Sequence, residues 1–310
     1  MTILFITGDN AILPEIDAYI SFFSRYPCVH TKMVFTTTRH HVQSDVEWYF
    51  MGMHRRRNNN AITIHEYASA SVPPFASLKN RLKKALNCRP DYRLFYSEYV
   101  KEQFNFRDNI PFGYRSHGVM DGREMHTGAD KKYDFIYVGS VDKQRELSTL
   151  FGNFTTGNMR DKTLLVLSKN YQAVAEALKN YPNIIFKGPV PYAEVYAYIR
   201  QSRFAINFMP DKLPYNQQVS AKFIDYTACG AKIISSDYAW IRDFQKKNGG
   251  EYFYLSDNLQ NFTWDNINDF HYVRPELQHY TWNNQIERSG VLDFLQEKFP
   301  EMRGVGGNSE

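Results

Sequence analysis

Cysteine is scarce in this 310-residue chain: Cys28, Cys88 and Cys229 are the only three, and they stand far apart. A disulfide framework and a CxxC zinc motif are excluded, and the three read as reduced, mostly buried thiols. Long apolar runs are missing too, and no stretch approaches the roughly 18 residues of a membrane span. The opening Met1-Thr2-Ile3-Leu4-Phe5-Ile6-Thr7 is apolar but stops at Gly8-Asp9-Asn10 and lacks a basic flank, so it is not read as a signal peptide. Charge of one sign is nearly balanced. The 37 Lys+Arg against 33 Asp+Glu leave +4, short of the concentrated charge of a dedicated DNA binder. Several motifs are absent as well. Without GxGxxG or GxxxxGK[ST], a dinucleotide oxidoreductase and a P-loop NTPase drop out. His65-Glu66-Tyr67-Ala68-Ser69 lacks the second histidine of HExxH, and there is no GxSxG elbow.

What is present is apolar and aromatic bulk. Hydrophobic residues are 43% and aromatics 16% of the chain, enough for a sizeable core and unlike a disordered composition. At about 150 residues per domain the length suggests two domains. Short apolar runs alternate with helical patterns, which implies βαβ units around parallel sheets. Strands are predicted at Ile3–Thr7, Thr31–Thr37, Ala61–Ile64 and Arg93–Tyr96, with helices over Pro14–Tyr26 and Ser97–Phe104. The polar, glycine-rich Gly118–Lys132 reads as a linker. A second series then begins, with strands at Phe135–Val138, Thr163–Leu167, Ile184–Phe186, Phe204–Phe208 and Ala231–Ser235. Helices are predicted over Tyr192–Gln201, Ala221–Cys229 and Asn283–Phe299, and Arg303–Glu310 reads as a flexible tail.

In open α/β sheets ligands bind beyond the carboxyl ends of the strands, so the segments after each strand matter most. The informative one runs from Phe186 to Asp237. A polar loop, Asp211–Gln218, enters a helix that carries Lys222 in its first turn. Backbone N–H groups, the positive helix end and Lys222 would converge there on an anion such as a phosphate. Asp225, in the same turns, could accept hydrogen bonds from a ribose diol.

This stretch resembles the donor-binding motif of GT-B glycosyltransferases, the group-1, family 4-like class. In that pattern a carboxylate, seven residues, a second carboxylate, Tyr, a small residue and Gly lead into a β-strand. The resemblance implies that Asp225 matches the second acid, which holds the ribose, and that Lys222 matches the base facing the diphosphate. Gln217 stands where the first acid would be. Tyr133–Gly139-Ser140, followed by Lys143 and Arg145, resembles the loop that opens the donor domain and supplies a cation to the phosphates. Gly188–Pro210 resembles the elements before the donor loop, so the likeness covers Tyr133–Asp243. Lys187 and Ser220 complete the expected donor set. Trp282 fits the helix that crosses back to the first domain.

The fold this implies is α/β, with two Rossmann-like domains whose parallel sheets face across a cleft. Residues 1–125 would bind the acceptor and 126–283 the nucleotide-sugar donor, with 284–302 the returning helix and 303–310 the tail. The implied activity is transfer from a UDP-sugar to a glycan or lipid-linked acceptor in bacterial surface polysaccharide synthesis. Inversion is favoured because Gln217 departs from the retaining acid pair. No cofactor and no metal is expected, because basic side chains and a helix end would neutralise the leaving diphosphate.

An inverting transfer needs a base. Asp9, after the first strand, and His65 and Glu66, read as following Ala61–Ile64, are the candidates. The amphipathic stretch Pro73–Asn87 places Phe75, Leu78, Leu82, Ala85 and Leu86 on one face and Lys79, Arg81, Lys83 and Lys84 on the rest. With Arg55-Arg56-Arg57 it suggests contact with a lipid-linked acceptor or an anionic membrane. The expected location is the cytoplasm, with room for association at the inner face of the membrane. Structural readings stand beside these: a core-packed helix with a solvated outer face, a hydrogen-bonded His65, Asp9 as a turn-former, Lys222 and Arg145 as surface cations, Asp225 as a helix acid, and Gly139 and Gly230 as turn glycines. Two other functions stay open, a non-catalytic nucleotide or glycan binder on the same fold and a sequence-independent nucleic-acid binder using Arg55–Lys84. The partners expected are the donor and the acceptor, not nucleic acid.

Overall fold

The computed structural model describes residues 1–8, 13–39, 42–119, 129–142 and 145–304. Asp9, Lys143, most of the Gly118–Lys132 linker and the tail beyond residue 304 lie outside them. The chain divides into two compact units, Met1–Asp121 with His279–Glu310, and Gly122–Gln278.

The first unit runs β1 (Thr2–Thr7), α1 (Pro14–Phe23), β2 (His30–Phe35), β3 (Val46–Phe50), β4 (Ile62–Tyr67), α2 (Ala76–Leu86), β5 (Tyr92–Phe95), α3 (Glu98–Phe104) and β6 (Phe112–Tyr114). Its strands form one parallel sheet in the order β2-β1-β3-β4-β5-β6. β1, β3, β4 and β5 lie inside the sheet, and of these β1, β4 and β5 read as short apolar and aromatic runs.

The second unit runs β7 (Tyr133–Val138), α4 (Ser148–Gly152), β8 (Leu164–Leu167), α5 (Gln172–Ala177), β9 (Ile184–Lys187), α6 (Tyr192–Arg200), β10 (Ser202–Asn207), α7 (Ala221–Ala228), β11 (Lys232–Ser236), α8 (Ala239–Asn248), β12 (Phe253–Leu255) and α9 (Trp264–Asp269). Its sheet is also parallel, in the order β12-β11-β10-β7-β8-β9. The chain winds outward from β7 to β9, then restarts on β7's other side at β10. The switch point therefore lies between the carboxyl ends of β7 and β10, where such sheets hold ligands.

The chain then returns to the first unit as α10 (Trp282–Arg288) and α11 (Val291–Lys298). The return begins at His279 rather than after residue 283, because Trp282 already belongs to the first unit. Its N–H donates to Val119 O at 2.9 Å, and a Cβ at Gly118 would meet its ring at 2.4 Å. The single helix expected over Asn283–Phe299 is broken at Gly290, whose φ of 71° no β-branched residue tolerates. Ile286, Val291, Phe294 and Leu295 enter the same core as Phe5, Tyr19, Trp48 and Leu94.

Gly113 lies where β6 passes this returning segment. A Cβ there would sit 1.7 Å from Ser289 O, a backbone atom that cannot step aside. Gly113→Ala is expected to destabilise the first unit by about 1–3 kcal/mol, as overpacking does. Chemical denaturation followed through the buried Trp48 measures it.

Further departures from the sequence reading bear on the candidate residues. β3 was not anticipated, since Glu47 interrupts the apolar run. In the fold Glu47 is buried and accepts hydrogen bonds from Tyr49 and Asn58 at 2.6 and 3.0 Å. β4 continues three residues past Ile64, so His65 and Glu66 lie inside a central strand and not after it.

At α2 it is the core-packed reading that fails, because the helix is inside out. Phe75 is 75% exposed, and Leu78, Leu82 and Leu86 are 54, 49 and 41% exposed, while Asn80 is buried. Asn80 receives Ser71 N at 3.1 Å, the Lys79 ammonium donates to Val72 O at 3.1 Å, and Lys84 donates to Asn105 O. Buried Asn80 and these two lysine contacts hold the helix with its leucine face outward, the opposite of a core-packed helix.

Candidate functional site

The switch point of the second unit is built on a buried polar scaffold. Asn207, the last residue of β10, donates to Ser235 Oγ and Tyr238 OH at 3.0 Å each and accepts Ser220 Oγ–H at 2.9 Å. Ser220 caps α7 by accepting Phe223 N. This pins the start of α7 against the ends of β10 and β11.

Lys222, in the first turn, reaches back to donate to Phe208 O at 2.9 Å, with its ammonium 4.4 Å from the Tyr137 ring centroid. Tyr137, from β7, donates to Ser140 O at 2.9 Å. Gly139 turns the chain there with φ 139°, a left-handed conformation in which a side chain is strained. Arg145 comes from the same β7–α4 connection. Its Nη1 contacts Met209 Sδ at 2.8 Å and its guanidinium lies 4.7 Å from the Tyr215 ring.

The structure thus brings Gly139, Ser140, Arg145, Ser220 and Lys222 to one edge, with Gln217 in the short turn that starts at Tyr215. Among the described residues neither Arg145 nor Lys222 forms an ion pair with a carboxylate. Burial first, then the charge of Arg145, pulls the Lys222 pKa well below its ordinary value. Two buried polar atoms at this edge, Ser168 Oγ and Gln218 Nε2, have no hydrogen-bond partner among the described residues. A cavity of about 170 Å³ opens beside Met209, but four carboxylates line it (Glu146, Asp211, Asp237 and Asp257) and neither Arg145 nor Lys222 does. The two cations and the orphaned polar atoms, not this acidic cavity, fit a phosphate-bearing polar ligand.

Two expected donor residues sit differently. Asp225 is buried and accepts Tyr192 OH at 2.8 Å to each oxygen and Tyr196 OH at 2.8 Å, so it braces α7 against α6. A ribose would have to share or displace the Tyr192 hydroxyl. Lys187 is exposed on the edge strand β9, bonded to Tyr198, two strands from β7. It does not join the Lys222 cluster.

In the first unit, the residues expected to supply a base are corrected by burial. His65 and Glu66 are 0 and 1% exposed. Glu66 is fully engaged: one oxygen accepts Arg115 Nε at 2.9 Å together with a second Arg115 nitrogen, the other Tyr19 OH at 3.0 Å and Trp48 Nε1 at 2.9 Å. Arg115 also lies 3.6 Å from Glu15. Such a carboxylate is a structural hub, not a free proton acceptor. Burial and the neighbouring His54 push the His65 pKa well down, so its ring stays neutral. Glu15, in the first turn of α1, has its pKa raised by burial against the opposing pull of Arg115. No sequence motif pointed to Arg115 or Glu15.

No known protein family and no curated protein sequence matches the chain. Solved structures do. The glycosyltransferase AviGT4, involved in avilamycin A biosynthesis, matches with a TM-score of 0.57 at 8% identity over 98% of this chain and 97% of its own. The UDP-GlcNAc 2-epimerase of Methanocaldococcus jannaschii, in complex with UDP-GlcNAc and UDP, matches at 0.56 with 11% identity, covering 96 and 100%. T4 phage BGT, in complex with UDP and Mn2+, matches at 0.53 with 13% identity, covering 98 and 100%.

The chain has the GT-B fold.

At such low identities the likeness is one of fold alone. The GT-B expectation nevertheless names the second unit's carboxyl edge as the place to look, and that edge is where Arg145 and Lys222 meet. On α2 the cations are partly spent on backbone carbonyls and the outer face is apolar. A nucleic-acid groove would present the reverse.

Proposed function

We propose that this GT-B chain is a glycosyltransferase that takes a sugar from a nucleoside-diphosphate donor, most simply a UDP-sugar. The observation that carries the reading is the pair of cations, Arg145 and Lys222, without a carboxylate partner among the described residues at the β7–β10 switch point. A diphosphate would supply the missing negative charge, and the same cations would stabilise it as the leaving group without a metal ion at that position. The UDP in the T4 phage BGT and epimerase complexes supports a uridine nucleotide.

The reaction is read as inverting, because Gln217 replaces an acid on the donor side. Its base is then sought at the two ends of the β1–α1 connection, in Asp9 and Glu15. The test offers the purified protein a panel of nucleotide sugars, with calorimetry for binding and product analysis for turnover. UDP binding with slow donor hydrolysis, or transfer to an acceptor, supports the reading. A C2-epimerised donor would move the assignment to an epimerase, and UDP binding without any turnover to a non-catalytic binder. Absence of nucleotide binding would remove it.

The acceptor is proposed to be a glycan carried on a lipid, in surface polysaccharide synthesis, with α2 resting on the anionic membrane that holds it. No described helix is long and apolar enough to cross a membrane. Yet Phe75, Leu78, Leu82 and Leu86 form an outward apolar row flanked by Lys79, Arg81 and Lys83. Charge and apolar surface together suit an interfacial helix. Vesicles containing anionic lipid should bind the chain, and vesicles of zwitterionic lipid should not. Lys79→Gln and Arg81→Gln should each weaken binding roughly fivefold. Equal binding to both vesicle types would remove the membrane from the proposal.

A further inference from the structure

Three potential metal ligands that the transfer reaction does not use meet in the first unit. His54 follows β3, His65 lies in β4, and Cys88 follows α2. His54 Nδ1 is 3.0 Å from His65 Nε2, and Cys88 Sγ is 3.3 Å from the first and 3.9 Å from the second. A tetrahedral zinc ion binds nitrogen at roughly 2.0–2.1 Å and thiolate at about 2.3 Å, which sets its ligand atoms about 3.3–3.6 Å apart. The three observed edges bracket that range. Shifts of a few tenths of an ångström would seat the ion.

We propose that His54, His65 and Cys88 bind a zinc ion, with the fourth position left to water. The backbone already holds the ligands. Cys88 N donates to His54 O at 2.7 Å, and His54 N donates to Asn87 Oδ1 at 2.7 Å. The His54 ring lies on Tyr49 with centroids 3.5 Å apart, which fixes its plane. Both histidines are buried, and half-buried Cys88 leaves a way in for the ion. His65 Nδ1 has no hydrogen-bond partner among the described residues, and the ring is held by its Nε2 contacts and by edge-on packing with Tyr49, His54 and Tyr67.

Arg39 opposes the ion most directly, with the charges of Arg57 and Arg93 also acting on the ligands. Its Nη1 lies 2.9 Å from His54 Nε2 and can only donate, so the ring proton of His54 sits on Nδ1. Binding moves that proton to Nε2, releases the Cys88 thiol proton to solvent, and turns Arg39 toward the Glu47 carboxylate 3.8 Å away. The thiolate and Glu47 balance the added charge. The ion would join the foot of α2 to β3 and β4 by three bonds where hydrogen bonds stand now.

The test uses the full chain, stripped with a chelator and titrated with Co2+ and then Zn2+. One equivalent of Co2+ should develop a thiolate charge-transfer band and the intense visible bands of a tetrahedral site, and Zn2+ should displace both. Zn2+ should also raise the unfolding temperature. Cys88→Ser should lose the charge-transfer band and at least about tenfold in affinity, while Cys28→Ser changes neither. His54→Gln, nearer the surface than His65, serves as a second ligand variant. A folded wild type that takes up no cobalt overturns the proposal, as does an identical cobalt spectrum in Cys88→Ser.

Discussion

Lys222→Met is expected to raise the thermal stability of the nucleotide-free protein and to cut the transfer rate by about 10²–10³-fold, the cost of losing one stabilising group at a developing charge. The two effects have one cause. The Lys222 ammonium has a single carbonyl, Phe208 O, and the face of Tyr137 as partners, with the charge of Arg145 nearby. Its folded-state pKa is lowered from the ordinary 10.5 by burial and then by Arg145. Between that lowered pKa and 10.5 the unfolded chain holds more protons than the folded one, so stability rises with pH across the window. Below the window the full penalty of the buried charge remains. Methionine removes the penalty, and with it the charge that a diphosphate needs. Scanning calorimetry across alkaline pH should therefore show the stability advantage of Lys222→Met over the wild type shrinking as pH rises through the window, and that advantage lost when UDP is bound. An unchanged rate in the variant would sink the donor-site assignment.

Arg115→Met should be the most destabilising single change in the first unit, by about 3–5 kcal/mol. Arg115 is 1% exposed and, among the described residues, its guanidinium is the only cation bonded to Glu66, itself 1% exposed. The substitution strands a carboxylate among Tyr19, Trp48 and the sheet, where no water replaces the lost partner. Removing the charge as well, in Arg115→Met with Glu66→Gln, should restore much of the loss, since a buried ion pair contributes little net but is costly to halve. The double-mutant cycle in urea measures the coupling directly. A loss under about 1 kcal/mol in Arg115→Met would show that water reaches Glu66.

The α/β class, the division in two and the placing of Lys222 at a strand-end edge were legible in sequence because they rest on local signals. Short apolar runs spaced by helical periods mark buried parallel strands, and a loop entering a helix with Lys222 in its first turn marks a strand-end edge. β3 and the end of β4 were not legible. Glu47, His65 and Glu66 look like strand breakers until their partners Tyr49, Asn58, His54 and Arg115 are brought up from elsewhere in the chain. For the same reason His65 and Glu66 resembled catalytic groups: an acid and a histidine look alike in sequence whether they face solvent or a guanidinium.

Amino-acid order by itself determined the periodicity of each element, the absence of cysteine frameworks and spans, and the position of Gly139, Arg145 and Lys222 after and before particular strands. Tertiary structure alone decided which polar groups were paired. Asp225 went to two tyrosines and Glu66 to Arg115, whereas Arg145 and Lys222 kept no carboxylate among the described residues. It also decided which way α2 faces and that two histidines and a distant cysteine would meet. Helix and strand formation are set within a few residues, but the partner of a buried charge and the exposure of a face depend on segments tens of residues away, which only the packed sheet brings together.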